Sequence, residues 1–208
     1  MYDASLTKRL FPVGASRPPF ATKFAVIGLT ALCLCLIGCG IASVYPFYTD
    51  KDLLFDPALV GRWGESGPQK DPDPIEFKKS GDKEYRLAMK DGDARADKYV
   101  VHLFKLRDQL YLNLFPIERH DDSIPVHRLM KVDQITPTLK MATLKDEWIE
   151  SLLKKHPEAL RHQFIPDPND STKQELVLTA STSELQRFLI KHRQTKGAFG
   201  EPGVWERR

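Results

Sequence analysis

Residues 99–115, YVVHLFKLRDQLYLNLF, carry the clearest structural signal in the 208-residue chain. The first half, Tyr99 to Leu106, is mostly apolar and ends at a polar turn, Arg107 and Asp108. In the second half, a leucine occupies every other position from 110 to 114, between Gln109, Tyr111 and Asn113. A period of two is typical of a β-strand. Two such strands around a short turn predict a β-hairpin.

Weaker segments of the same kind lie on both sides of this hairpin. Upstream, apolar residues alternate with charged ones over 75–79 and again over 85–89, after turn residues at 80–82. Downstream, strands are predicted over 126–132, 139–144 and 175–179. Together with the hairpin, these segments predict a sheet of about seven antiparallel strands.

The pattern changes to a helical period in two places. The apolar residues 148, 149, 152 and 153 share one face of a helix. Thr143 and Asp146 predict a capping box before it, and Pro157 ends it and begins a short second helix over 157–162. A second capping box, Ser181 with Glu184, predicts a late helix that includes His192.

These elements predict a mainly β, α+β domain over residues 57–208. Its expected architecture is an antiparallel barrel or half-barrel with a helical insertion and a late helix. The segment 39–56 shows no periodicity and is predicted to be an extended tether, with folding beginning near Leu59. The tail, 197–208, is rich in glycine and proline and is predicted to pack irregularly through Phe199 and Trp205.

Residues 1–38 form a signal or anchor segment with an apolar core. From Phe24 to Thr49 no residue is charged, and the first 15 residues of that run are FAVIGLTALCLCLIG. The uncharged run exceeds the roughly 20 residues that a transmembrane helix needs. Its apolar core also fits the roughly 7–15 residues of a secretory signal. Both alternatives predict an N-terminal hydrophobic helix that enters a membrane.

The flanking charges predict the orientation. Four basic residues precede the apolar core: Lys8, Arg9, Arg17 and Lys23. The same segment has one acidic residue, Asp3. Positive charge holds that end in the cytoplasm, so the C-terminal part is expected to be extracytoplasmic. Beyond residue 39 the chain has 27 basic and 27 acidic residues. A neutral domain lacks the positive field that attracts nucleic acid, so no nucleic-acid partner is expected.

The three cysteines, Cys33, Cys35 and Cys39, all lie in the apolar segment. The downstream domain therefore has no disulfide, thiol nucleophile or cysteine-bound zinc. The sequence Leu36-Ile37-Gly38-Cys39 resembles the lipobox of bacterial lipoproteins, with an aliphatic residue three positions before the cysteine and a small residue just before it. That resemblance implies a lipid on the sulfur of Cys39 and a place in the bacterial cell envelope. The alternative is an uncleaved signal anchor in which Cys39 is one more small apolar residue.

A second resemblance concerns the start of the folded domain. Residues Leu59 to Trp63, LVGRW, resemble the G-x-W signature that opens the first strand of lipocalins. In that family the glycine permits close approach, and the tryptophan plugs the closed end of the barrel. The resemblance implies a lipocalin-like, or calycin, barrel in which Gly61 and Trp63 are structural. The sequence of residues 55–63, FDPALVGRW, also resembles predicted bacterial lipoproteins of unknown role.

Few residues suggest chemistry in the domain. His120, Asp121, Asp122 and His127 could converge on a metal or perform acid–base work, but a polar turn has the same composition and the spacing of a third ligand is missing. His102 could face a barrel cavity and bind a ligand, or could be an ordinary core or surface histidine. The motifs G-x-S-x-G, H-E-x-x-H and the nucleotide-binding loops are missing. The expectation is therefore no enzyme, no cofactor and no bound metal.

A basic stretch lies along the late helix, at Arg187, Lys191, His192, Arg193 and Lys196. It could contact anionic lipid headgroups or a partner, and a solvated helix face is the simpler interpretation.

Three functions remain open at this point. The leading hypothesis is an envelope-anchored lipoprotein whose lipocalin-like domain binds a small apolar ligand or supports an envelope complex. The second is a structural or interaction lipoprotein, or a single-pass membrane protein, whose barrel is filled by its own side chains. The third is a metal-assisted hydrolase that uses the 120–127 loop. The membrane, reached through a lipid or a helix, is the expected partner in each case.

Overall fold

The computed structural model describes residues 40–66, 74–91, 94–118, 124–167 and 170–208. Within these ranges the chain forms twelve strands and two α-helices, α1 (Asp146–Lys155) and α2 (Thr182–His192). Single 3-10 turns lie at Asp50–Asp52, Pro57–Leu59 and Pro157–Ala159. The strands, in chain order, are β1 (Ala42–Ser43), β2 (Leu53–Leu54), β3 (Gly61–Glu65), β4 (Ile75–Lys79), β5 (Tyr85–Asp91), β6 (Ala94–Leu106), β7 (Gln109–Pro116), β8 (His127–Gln134), β9 (Leu139–Thr143), β10 (His162–Asp167), β11 (Asp170–Leu178) and β12 (Gly203–Arg207).

Eight of these strands form a closed antiparallel barrel. From β3 to β9 each strand pairs with the next one along the chain, and β12 then inserts between β9 and β3. Trp205 is the point of closure, because it lies opposite Leu139 on one side and Glu65 on the other. The predicted antiparallel barrel, mainly β with helices, is thereby confirmed, and it is closed. The predicted N-terminal helix lies outside the described residues.

The predicted hairpin over 99–115 is present, with its turn at the predicted residues. Tyr99 lies opposite Pro116 and Leu106 opposite Gln109, with the turn at Arg107, whose φ is 58°. Val101 and Leu103 point into the barrel, while Phe104 belongs to a second core on its outer face. Because Val101 and Leu103 face the interior while Phe104 and Leu106 face the second core, the end of β6 is apolar on both faces rather than alternating.

The second core is covered by the segment between β9 and β12 together with the start of the described chain. Helices α1 and α2 bury Ile149, Leu153, Leu185, Phe188 and Leu189 against the outer face of the barrel. Strand β1 pairs antiparallel with β8 and parallel with β11, and β10 pairs with β11 at the edge. This outer layer is thus a small three-stranded extension of the barrel sheet packed with two helices.

Residues 41–54, which the sequence pattern assigns to a tether, pack in this outer layer. Ile41, Ala42 and Phe47 are 5%, 1% and 2% exposed. Leu53 and Leu54 pair with β6. From α2, Thr182 donates a hydrogen bond to the carbonyl oxygen of Pro46 at 2.8 Å. The absence of a helical or alternating period in this segment reflects its two very short strands, which offer no repeat to detect.

Several local predictions differ from the structure. The capping box at Ser181 and Glu184 is present, but α1 begins after Lys145 with no side-chain cap, and Thr143 ends β9 instead. The predicted second helix over 157–162 is a single 3-10 turn, after which β10 begins at His162. The tail forms β12, because Gly203 to Arg207 finds two strand edges to pair with.

Truncation of Phe47 tests whether residues 41–54 belong to the folded domain. We expect Phe47→Ala to lower the free energy of unfolding by about 3–5 kcal/mol, the usual cost of deleting a buried aromatic ring. Tyr45→Ala is the matched control, since Tyr45 is 49% exposed and its loss should change stability by less than about 0.5 kcal/mol. Urea unfolding measures both. Equal, small effects would mean that the segment is a detached tether.

Candidate functional site

One end of the barrel is closed around Trp63. The indole is fully buried, and its Nε1 donates a hydrogen bond to the carbonyl oxygen of Leu59 at 2.9 Å. The guanidinium of Arg207, from β12, lies 4.7 Å from the centre of the Trp63 ring. The same guanidinium donates hydrogen bonds to the carbonyl oxygens of Val60 and Ala58 at 2.9 and 2.6 Å. Tryptophan, arginine and the turn at 57–60 therefore form one plug, in which stacking and hydrogen bonding act together.

Gly61 makes room for this plug. Its φ of 138° is a conformation that residues with a side chain rarely adopt, and a Cβ atom there would lie 2.5 Å from Nη1 of Arg207. The glycine of the G-x-W sequence thus permits the close approach of an arginine from the last strand.

The interior of the barrel holds a large cluster of buried side chains among the described residues. Its inner cluster of sixteen buried residues includes two tryptophans, a phenylalanine, a tyrosine and twelve aliphatic or methionine side chains, none more than 7% exposed. Tyr85, Leu103 and Leu112 are 0%, 1% and 1% exposed. A void that admitted water would leave its lining accessible, so these side chains border no space of ligand size. Two surface cavities, of 270 and 590 Å³, lie outside the barrel beside α2 and α1.

The polar group of Tyr85 is satisfied within this core. Its hydroxyl accepts a hydrogen bond from the backbone nitrogen of Asp56 at 2.7 Å and donates one to the carbonyl oxygen of Asp56 at 3.1 Å. Burial raises the pKa of Tyr85 to about 12, so the phenol stays neutral. Phe55 stacks on the ring with a centroid distance of 5.0 Å. Residues 55–60 thus cross the closed end as part of its packing.

A group of polar side chains lies on the outer face of β6–β8, and we call it the outer polar cluster: Tyr48, Glu84, His102, Asn113 and His127. The hydroxyl of Tyr48 is 3.2 Å from Nδ1 of His102, and Glu84 lies 3.9 Å from Nε2 of the same ring. Asn113 is fully buried, and its amide nitrogen lies 3.1 Å from Nδ1 of His127. The Oδ1 atom of Asn113 accepts a hydrogen bond from the backbone nitrogen of Phe47 at 3.4 Å.

His102 therefore does not face a barrel cavity. The alternation along β6 places it on the outer face between the inward residues Val101 and Leu103. Burial lowers its pKa, although Glu84 and Asp50 act in the opposite direction. For His127, burial and the nearby His102 lower the pKa to about 4. Both histidines are neutral hydrogen-bonding groups at neutral pH, which is the state that a buried structural histidine adopts.

The loop over 120–127, considered in the sequence both as a metal site and as a polar turn, lies only partly within the described residues. His120, Asp121 and Asp122 lie outside the described residues. His127 is described and is engaged by Asn113 and by the ring of Phe115, at a centroid distance of 4.5 Å. Across the described ranges, no three histidine, cysteine or acidic side chains are grouped to hold a metal ion.

The basic stretch of α2 is partly engaged in packing. His192 lies between Phe188 and Trp148, at ring distances of 4.6 and 5.1 Å, and burial lowers its pKa. Arg193 forms an ion pair with Asp108 at 3.0 Å. Arg187 and Lys191 line the 270 Å³ cavity together with Glu158 and Glu184. Arg161 lines it as well, so three basic and two acidic side chains border the cavity.

The lipidation residue predicted from the sequence, Cys39, lies outside the described residues. The next residue, Gly40, is held in place, since Nη1 of Arg128 donates a hydrogen bond to its carbonyl oxygen at 2.5 Å. Among the described residues, we find no helix with the length and apolar character needed to span a membrane.

Comparison of this chain with protein-family models, curated proteins and solved structures finds no match.

The plug at the closed end is tested by substituting Gly61 and Arg207. We expect Gly61→Ala to destabilise the protein, because a methyl group there displaces the guanidinium that covers Trp63. Arg207→Ala removes the same interactions, so the double variant should show a coupling free energy of about 0.5–3 kcal/mol rather than simple addition. Gly197→Ala is the control, with a φ of 82° and no atom within 4 Å of the added carbon. Strict additivity in urea unfolding would contradict the plug.

Proposed function

We propose that this chain is a membrane-anchored, extracytoplasmic lipoprotein whose filled, lipocalin-like barrel acts as a structural or interaction module. The observation that carries the proposal is the packing of the barrel interior, where aromatic and branched side chains occupy the space that a ligand would need. A small apolar ligand has to be surrounded by a cavity of a few hundred Å³. No cavity of that size borders the buried side chains of the interior cluster.

The anchor rests on the sequence. Leu36 to Cys39 matches the pattern of a lipidation signal, and the uncharged run before it follows a basic N-terminal segment. A diacylglycerol group with a further acyl chain gives stable membrane attachment, whereas one chain alone gives marginal binding. Since Ile41 and Ala42 are buried in the domain, such an anchor would be joined to the barrel with hardly any intervening chain.

Carriage of an apolar ligand is the second candidate. The observation in its favour is that Met89 and Tyr99 pack against the interior cluster but are only half-buried. They lie on β5 and β6, where a small molecule could contact the exposed part of each side chain without entering the packed part of the barrel.

Native mass spectrometry of the full-length protein, expressed in bacteria and extracted in detergent, tests the proposal. We expect a mature chain that begins at Cys39, carries the mass of a diacylglycerol and acyl group, and retains no small molecule. Cys39→Ala is the control and should lack both the cleavage and the added mass.

Two results would contradict separate parts of the proposal. One small apolar molecule retained per protein would favour ligand carriage over a filled structural barrel. An uncleaved chain without added mass would replace the lipid by a signal anchor, and would leave the interpretation of the barrel unchanged.

A further inference from the structure

We propose that the outer surface of the two helices binds an acidic, partly apolar segment of a protein partner. The surface borders the two cavities beside α1 and α2, and we call it the basic–aromatic surface: Lys145, Trp148, Lys155, Arg187, Lys191 and His192. This inference rests on the interaction role proposed above and names the chemistry of the partner. It does not depend on how the chain is held at the membrane.

The centre of the surface is a pair of rings. Trp148, from α1, borders the 590 Å³ cavity, and His192, from α2, borders the 270 Å³ cavity. The two rings meet edge-on at a centroid distance of 5.1 Å, so this pair joins the linings of the two cavities. Trp148 and Leu152 are half-buried, which leaves apolar area in the larger cavity. An apolar side chain of a partner can cover that area, and tryptophan is enriched in such contacts.

Exposed basic side chains border both cavities. Lys145 and Lys155 line the larger one, and Arg187 and Lys191 line the smaller one. All four are exposed, and none forms an ion pair with another described residue. Positions 187 and 191 are four residues apart, so these two charges lie on the same side of α2. Both linings therefore offer cations that are free to pair with a carboxylate.

The acidic side chains in the linings offset only part of this positive charge. The two linings together hold five lysines and arginines and three glutamates. Glu184 forms an ion pair with Arg161 at 2.6 Å and also caps α2. Glu158 lies 3.5 Å from Nδ1 of His156, and the third glutamate is Glu147. With the Arg161–Glu184 pair set aside, four basic and two acidic side chains remain, so the surface is complementary to an acidic partner.

The shape of the surface favours a protein segment over a layer of lipid headgroups. Single side chains can enter two separate cavities beside helices, whereas a planar layer of headgroups fits them poorly. Lys145 and Lys155 are about 15 Å apart along α1, which corresponds to roughly four or five residues of extended chain. A segment of that length can place carboxylates near both lysines and an apolar side chain on Trp148.

An array of short peptides tests this assignment. The peptides combine glutamate or aspartate with leucine or phenylalanine in every order, and a second set has glutamine and asparagine in place of the acids. The full-length protein in detergent is applied to the array, and the peptides that retain it most strongly are titrated in solution with tryptophan fluorescence as the readout. Trp63 and Trp205 are 0% and 5% exposed, so the response comes from Trp148. Trp148→Phe supplies the blank.

The test variant carries Arg187→Gln and Lys191→Gln. The matched control carries Arg62→Gln and Lys83→Gln, which remove the same charge from exposed positions in β3 and in the β4–β5 turn. We expect acidic peptides to bind and their amide counterparts not to bind. The test variant should bind roughly three- to tenfold more weakly, because it loses two exposed ion pairs. The control should bind like the unmodified protein, and added salt should weaken the binding.

Three results would overturn the proposal. The first is no preference for acidic over amide peptides, or an equal loss of binding in the test variant and the control. The second is a Trp148 response to phosphatidylglycerol in reconstituted phosphatidylethanolamine vesicles that the test variant removes, which would assign the surface to lipid headgroups. The third is a dimer in detergent that the test variant dissociates, which would place a second copy there. None of these results alters the masses expected for the anchored chain, so this proposal and the proposed function fail separately.

Discussion

The pairing of β12 with both β3 and β9 is the interaction on which the rest of the structure depends. Without this strand, two edges of the sheet would expose unpaired backbone groups, and the interior side chains would face water. With it, Trp205 enters the inner core and Arg207 reaches the ring of Trp63. Strand β12 thus closes the barrel by pairing along its side and by covering Trp63 with Arg207. Gly61 leaves the space that Arg207 needs to approach.

A closed barrel leaves the outer face of β6–β8 as the place where further chain can be stabilised. The two helices, the β10–β11 hairpin and residues 41–54 all pack there, and under that layer Asn113 accepts a hydrogen bond from the backbone of Phe47 and contacts His127. Because β1 is part of this layer, the point at which the chain enters is rigidly related to the barrel.

Much of the barrel can be predicted from the sequence, and the exceptions have physical reasons. The hairpin over 99–115 and the capping box at Ser181 are local patterns, so they are found correctly. Gly200, Pro202 and Gly203 obscure the strand pattern of β12 in the sequence. The strand forms because the edges of β3 and β9, which are distant in sequence, are available for pairing. The sequence around His102 is compatible with either face of a strand. Only the register of β6 in the sheet shows that His102 lies on the outer face. The role of Gly61 depends on Arg207, 146 residues later in the chain.

Amide hydrogen exchange of β12 tests the closed barrel most directly. In the closed barrel the amides of residues 203–207 that pair with β3 or β9 should open only when the whole domain unfolds, and should be protected as strongly as those of β7 in the middle of the sheet. Exchange of the β12 amides at rates close to those of an exposed chain, with β7 still protected, would contradict closure. The barrel would then be an open sheet whose interior could admit a ligand.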